Sequence, residues 1–292
     1  MTGSGTLASS VAGPISVARA AEIEHQGDTV RDLGRTRRKL PAVGLAADEK
    51  SDLPAVLAAF WGAGGRVIDT SRLDGSVEAR FGKTAVESGI TGDMFVSRRL
   101  WTGAGEEQWR MLGEQLDSFR RRLRRNVIDL LHVDDLVDVQ DVLPLLGEWK
   151  RAGRIRHIGV GHAERRYHPA LEILMRNAEV DVVRLRYSIL DREAEEDVLP
   201  LAVQRGIGVV VNLPAEDFVD GRPVPRWAAA FGALTWRVFC LKYVLADPAV
   251  TVVLPPAGSV AQVRENMAAL RGPLPDAEQR ARMIEHVEGL RS

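Results

Sequence analysis

From residue 40 onward, apolar positions follow two alternating rhythms. Short apolar or alternating runs are bounded by Gly, Pro or charged residues, and longer stretches repeat apolar residues at three and four positions. The short runs predict strands at 40–45, 66–69, 94–97, 127–133, 155–160, 180–186, 207–211 and 250–254. The longer stretches predict a helix that opens at Asp52 and is closed by Gly62, Gly64 and Gly65. Further helices follow at 76–87, 106–123, 139–151, 167–177, 194–204, 227–245 and 259–270, with a last one near 276–288. Strands alternating with helices of this length imply parallel pairing through right-handed crossovers. Eight such units without a change of composition predict an α/β fold, a closed (β/α)8 TIM barrel. The barrel domain is expected to span 31–292, C-terminal helix included, after a flexible or weakly helical extension at 1–30. An open dinucleotide-binding sheet is the competing arrangement, but its fingerprint is missing: Gly62, Gly64 and Gly65 precede a strand instead of opening a helix after one.

In such a barrel the chemistry gathers at the C-terminal ends of the strands. That rule selects Asp69, Arg99, His132, His162, Arg184, Arg186, Asn212 and Pro255. Strand alternation puts Arg184 and Arg186 on one face, opposite Val183 and Leu185. His132 and Asp134 also share a face, but no further ligand completes a metal site, and no metal is expected.

Charge narrows the partners. With 39 Lys and Arg against 40 Asp and Glu, the net charge of −1 argues against a general attraction to nucleic acid or anionic membrane. No 18-residue apolar run predicts a transmembrane helix, and a cytoplasmic location is expected. Arg outnumbers Lys 34 to 5, a bias of a GC-rich, bacterial coding background, so Arg120, Arg121 and Arg122 are expected on a solvated helix face. Cys240 is the only cysteine, which excludes an internal disulfide, and its apolar helical setting predicts a buried side chain.

Several segments, in order, resemble the aldo-keto reductase family. They are Arg31-Asp32-Leu33-Gly34-Arg35-Thr36, Pro41-Ala42-Val43-Gly44-Leu45, and Ile68-Asp69-Thr70-Ser71 with Gly75, Glu78 and Phe81-Gly82. Asp129-Leu130-Leu131-His132, Gly153-Arg154-Ile155-Arg156-His157-Ile158-Gly159-Val160, Tyr187-Ser188-Ile189-Leu190-Asp191-Arg192 and Glu265-Asn266 complete the series. The resemblance implies a catalytic tetrad of Asp, Tyr, Lys and His. Asp69 and His132 match it, whereas Asp74 takes the Tyr position and Arg99 the Lys position. An ionised Asp accepts hydrogen bonds where the family's Tyr donates a proton, and Arg holds its proton near neutrality. The cofactor positions differ as well. Gly161-His162 replaces the nicotinamide-binding Ser-Asn, Arg184 the Gln, and Asn212 the stacking aromatic. Gln262 stands where an Arg is common, leaving Ser259, Gln262 and Asn266 around the start of a helix as the remaining coenzyme contacts.

These departures lead to an expectation of altered chemistry. Arg99, Arg184 and Arg186, with His162 and Asn212 nearby, suit an anionic small molecule through bidentate hydrogen bonds. Asp69, Asp74, Arg99 and His132 are the expected catalytic set, with Asp74 orienting His132 as a general base and Asp69 pairing with Arg99. The favoured reading is non-redox acid–base chemistry (dehydration, elimination or isomerisation) without a cofactor. The alternatives are an NADPH- or NADH-dependent oxidoreductase with an unconventional tetrad, and a catalytically silent interaction module.

Overall fold

Eight stretches rich in Val, Ile and Leu become buried parallel strands, as expected for a sheet covered by helices. The computed structural model describes residues 29–291 except 50, 72–73, 103–107, 135, 137–138 and 213–220. The expected extension at 1–30 lies almost wholly outside the described residues. After a hairpin of β1 (Val30–Asp32) and β2 (Lys39–Pro41), the barrel strands are β3 (Leu45–Ala47), β4 (Val67–Asp69), β5 (Phe95–Arg99) and β6 (Ile128–Val133). They continue with β7 (Ile155–His162), β8 (Val182–Arg186), β9 (Gly208–Asn212) and β10 (Val250–Leu254), extended by the two-residue β11 (Pro256–Ala257). Each pairs in parallel with its neighbour, and β11 pairs with β3, so β10 and its extension close the ring. The bonds from Gly44 N to Val253 O (2.9 Å) and from Ala46 N to Pro255 O (3.2 Å) secure the seam.

Around the sheet lie α1 (Leu53–Gly62), α2 (Gly75–Glu87), α3 (Gln108–Arg122), α4 (Val139–Arg151) and α5 (His168–Asn177). The series ends with α6 (Val198–Arg205), α7 (Trp236–Leu245), α8 (Val260–Ala268) and α9 (Ala277–Arg291). This is the (β/α)8 barrel expected from the alternation. Cys240 is buried in α7, as its surroundings suggested.

Some boundaries differ from the expected ones. The apolar run at 40–45 is not one strand, because Pro41 ends the hairpin and β3 begins only at Leu45. Leu33 and Leu40 instead join Val67, Phe95, Leu130 and Val182 in the barrel interior, so the hairpin plugs one end. The helix expected at 227–245 is split, since Gly232 adopts φ +74° after a 3-10 turn and Thr235 caps α7 through Val238 N (3.3 Å). Nor is Arg122 a solvated residue: its Nε donates to Oε2 of the fully buried Glu78 at 2.6 Å.

Candidate active site

Asp69, His132 and Arg184 sit on β4, β6 and β8, three alternate strands, and a barrel's interior layers are built from alternate strands. The intervening β7 carries Gly159 beside His132 and Gly161 beside Arg184. A Cβ on Gly159 would lie 2.8 Å from the His132 Cβ, and one on Gly161 would lie 2.5 Å from Arg184 O and 2.8 Å from the Arg184 Cβ. Two residues without side chains therefore let His132 and Arg184 converge.

Arg184 Nη1 donates to Asp69 Oδ2 at 2.7 Å and also to His132 Nε2. Its Nε and Nη2 both donate to Asn212 Oδ1, at 3.1 and 2.8 Å. The same Asp69 oxygen accepts from Ser71 Oγ (3.0 Å) and Ser97 Oγ (2.9 Å), while Oδ1 accepts from Ser71 N (3.2 Å). Burial alone would raise the Asp69 carboxyl, but the Arg184 charge and the His132 hydrogen bond overcome it and hold the group well below the usual carboxylate range. Burial likewise works against the charge on Arg184, and Asp69 and Asp134 reverse that effect and strengthen its hold on the proton.

His132 is fully buried. A guanidinium can only donate, so the Nε2 facing Arg184 is an acceptor and Nδ1 carries the imidazole proton. Nδ1 then donates to Asp134 Oδ1 at 2.8 Å. Burial would raise the Asp134 carboxyl, but His132, Arg184 and Arg99 hold it at about 2. Above the cluster lies a cavity of about 560 Å³, lined on its polar side by Ser71, Arg99, Asp134, Arg184, Arg186 and Asn212. Ala46, Ala163, Leu254 and Pro256 form its apolar side. Arg99 stacks on Trp101, its guanidinium carbon 3.6 Å from the ring centre, and approaches Asp134 Oδ2 at 3.7 Å. Arg186 comes within 3.9 Å of Asp191.

The expected residues separate into two groups. Asp69, His132, Arg99, Arg184, Arg186 and Asn212 come together in and under this cavity. The expected Asp69–Arg99 pair does not form, because Arg184 crosses the barrel to Asp69 and Arg99 turns to Asp134. Asp74 does not orient His132: its Oδ1 caps α2, accepting from Ser76 N and Val77 N at 2.8 Å each, and the bonds from Val77 and Ser76 hold its carboxyl below the usual carboxylate range. His162 is turned aside, with Nδ1 accepting from Glu164 N (3.0 Å) and its ring 3.7 Å from that of Tyr167. Ser259 caps α8, Gln262 Oε1 accepts from Gly258 N (2.7 Å), and Asn266 donates to Pro256 O (3.2 Å) beside the cavity wall.

Sequence reasoning passed over Ser71 and Ser97, and weighed Asp134 only as a metal ligand. The signal was present as spacing, since Ser71 and Asp134 each follow a selected residue by two positions, the strand repeat. Arg98 was missed too. It is buried against Phe119, holds Glu78 at 3.1 Å and donates to the carbonyl of Thr70 at 2.6 Å, fixing the chain between Asp69 and Ser71.

A closed parallel barrel with an ionic cluster under a cavity at the C-terminal strand ends defines an enzyme-type architecture. The sequence matches the aldo/keto reductase family over residues 42–215, more than half of the chain, and the chain belongs to that family. It is 29% identical over 170 residues to the NADH-specific methylglyoxal reductase of Escherichia coli K12, covering 48% of this chain and 51% of that relative. The chain thus aligns with about half the length of that relative. The fold is similar to that of an aldo-keto reductase from Bacillus halodurans in its holo form (TM-score 0.71, 22% identity, 89% of this chain and 96% of that one). It also resembles an aldo-keto reductase from Klebsiella pneumoniae in complex with NADPH (TM-score 0.67, 21% identity, 87% and 93%).

These relatives correct two expectations, the preference for non-redox acid–base chemistry and the preference for no cofactor. The curated relative is named for NADH-specific reduction, and the Klebsiella protein is a complex with NADPH. Those expectations rested on the residues at the family's Tyr and Lys positions, Asp74 and Arg99, and on the substituted coenzyme positions Gly161, His162, Arg184, Asn212 and Gln262.

Proposed function

We propose that this chain is a nicotinamide-dependent oxidoreductase that reduces a small carbonyl compound carrying an anionic group, with a proton donor different from the family's. The observation that carries this reading is the arginine-lined cavity directly above the Asp69–Arg184–His132 cluster in a barrel of this family. Two tetrad positions are filled by Asp74 and Arg99. The Asp74 carboxylate serves as the α2 cap, so a proton must come from elsewhere.

The cavity suits a nicotinamide. One wall is apolar and the other presents Arg184 and Asn212, which matches a flat ring carrying an amide. Pro256, in that apolar wall, leads within a few residues to Ser259 and the N-terminus of α8, where backbone N–H groups can meet a phosphate. Residues Arg184, Asn212, Ser259 and Gln262 would hold the coenzyme, which supplies a hydride when bound. Gln262, where the family often has Arg, leaves that position without a cation for an additional phosphate and favours NADH over NADPH. Arg99 and Arg186 face the cavity from β5 and β8 and would bind a carboxylate or phosphate of the substrate. Arg184, kept charged by Asp69, stabilises negative charge developing on the carbonyl oxygen.

Titration with NADH and NADPH, followed through the six tryptophans and coenzyme fluorescence, tests the reading together with coenzyme oxidation on 2-oxo acids and neutral aldehydes. Saturable binding and faster turnover of the anionic carbonyls are expected. Absence of saturable binding into the high-micromolar range would contradict the proposal and leave a silent scaffold.

A further inference from the structure

The three arginines of the cavity are not held alike. Arg184 is locked, with Nη1 2.7 Å from Asp69 Oδ2 and Nη2 2.8 Å from Asn212 Oδ1. Arg99 and Arg186 stand higher on the wall, and their acids lie beyond hydrogen-bond distance, at 3.7 Å for Asp134 and 3.9 Å for Asp191. Both reach water, with side chains 28% and 48% exposed. Each is also kept on its own side. The Arg99 guanidinium lies over the Trp101 ring after β5. Asp191, tied to Ser188 by paired backbone bonds of 3.0 and 3.1 Å, draws Arg186 toward the turn after β8. In the ring β5 and β8 are three strand positions apart, roughly 14 Å around the wall at about 4.8 Å per strand. On the shorter arc between them stand Asp134, after β6, and Ala163, after β7. Asp134 is ionised: burial raises its carboxyl, but His132, Arg184 and Arg99 hold it at about 2. One carboxylate shared by Arg99 and Arg186 would have to bridge that arc beside a fixed negative charge. Two carboxylates, one beside each arginine, need no such bridging.

We propose that Arg99 and Arg186 form a two-point site for a dicarboxylate, and that the carbonyl substrate is a 2-oxo dicarboxylic acid spanning the cavity between them. The substrate assignment rests on the oxidoreductase reading, whereas the two-point site stands on the arginines alone. Each guanidinium takes one carboxylate through paired hydrogen bonds, closer than its own acid comes. The carbonyl between the two carboxylates then faces Arg184, whose charge Asp69 sustains. Once one carboxylate is bound, the second meets its arginine within the same molecule and adds affinity at little further cost in freedom. The spacing of the arginines therefore acts as a ruler for the substrate's length. Hydride adds to the carbonyl carbon, the C=O π pair moves onto oxygen, and that oxygen takes a proton from solvent. One 2-oxo dicarboxylate, one reduced coenzyme and one solvent proton give one 2-hydroxy dicarboxylate and one oxidised coenzyme.

The test is titration calorimetry of the coenzyme-free protein with oxalate, malonate, succinate, glutarate and adipate, and with butanoate as the single-charge control. Affinity should pass through a maximum at succinate or glutarate, about 10-fold or more above butanoate. Arg99→Met and Arg186→Met should each flatten the series to the butanoate level. Arg99→Lys and Arg186→Lys, which keep the charge, should restore part of the maximum, and urea midpoints near that of wild type show that the variants fold. In turnover, 2-oxoglutarate should exceed its monomethyl ester by about 10-fold in kcat/KM, and Arg186→Met should erase the difference. A flat series, with butanoate bound as well as any dicarboxylate, would overturn the two-point site; NADH oxidation by monocarboxylic 2-oxo acids in that same protein would leave the reductase reading intact. A clear length maximum in a protein that oxidises no coenzyme with any carbonyl would support the two-point site and remove the reductase reading together with the substrate assignment.

Discussion

A guanidinium only 7% exposed needs partners, and Arg184 finds them on three other strands: Asp69 on β4, His132 on β6 and Asn212 on β9. Removing it leaves the Asp69 carboxylate buried without its cation. Arg184→Met should therefore destabilise the fold by about 3–5 kcal/mol in urea denaturation, and adding Asp69→Asn should recover part of that loss. The pH dependence has a definite sign. Asp69 is depressed in the folded state, so its contribution is present above the unfolded carboxylate value and is lost as pH falls. The stability gap between wild type and Arg184→Met should shrink on acidification, and a constant gap would contradict the pairing. The residues of this cluster were legible from the rule that selects strand ends, but their pairing was not. Asp69 and Arg99 stand on adjacent strands and invited a pair, whereas the tilt and stagger of a closed barrel decide which side chains meet across it.

At the scale of elements, β7 makes the site possible by what it omits. Gly161→Ala would set a methyl group 2.5 Å from Arg184 O, against backbone that cannot step aside. A stability loss of about 1–3 kcal/mol is expected, together with weaker substrate binding, measured by denaturation and KM. Helix α7 offers a separate test away from the site. Lys242 is fully buried, donating to Arg271 O (2.6 Å) and Pro273 O (2.9 Å), and burial lowers its value from 10.5 to about 8. Between those values the unfolded chain holds more protons than the folded one, so stability should rise with pH through that window, by at most about 1.4 kcal/mol per pH unit. Relative to Lys242→Met, wild type should gain stability from pH 8 upward; a flat difference would contradict the shift. The strand and helix rhythm was largely readable here because each barrel strand is a distinct apolar run. The exceptions have local causes: Pro41 stops a strand early, and Gly232 with Thr235 divides a helix that periodicity alone runs together.

At the scale of the molecule, the eightfold alternation and family segments led to the barrel, and the mouth of that barrel gathers three arginines against the buried Asp69 and the partly exposed Asp134. The coenzyme question was harder to read. Substituted positions were visible one at a time, while the cavity that would hold a ring and the chain joining it to α8 exist only once the strands close. The proposed account is hydride transfer at that mouth to a carbonyl held by Arg99 and Arg186, with Arg184 facing the oxygen. The most direct measurement follows a deuterium label from the reactive position of NADH into product made from a 2-oxo acid, read by mass spectrometry. Deuterium on the carbinol carbon, in proportion to coenzyme consumed, is the predicted result. Turnover of the same compound without deuterium in the product and without loss of coenzyme would contradict it.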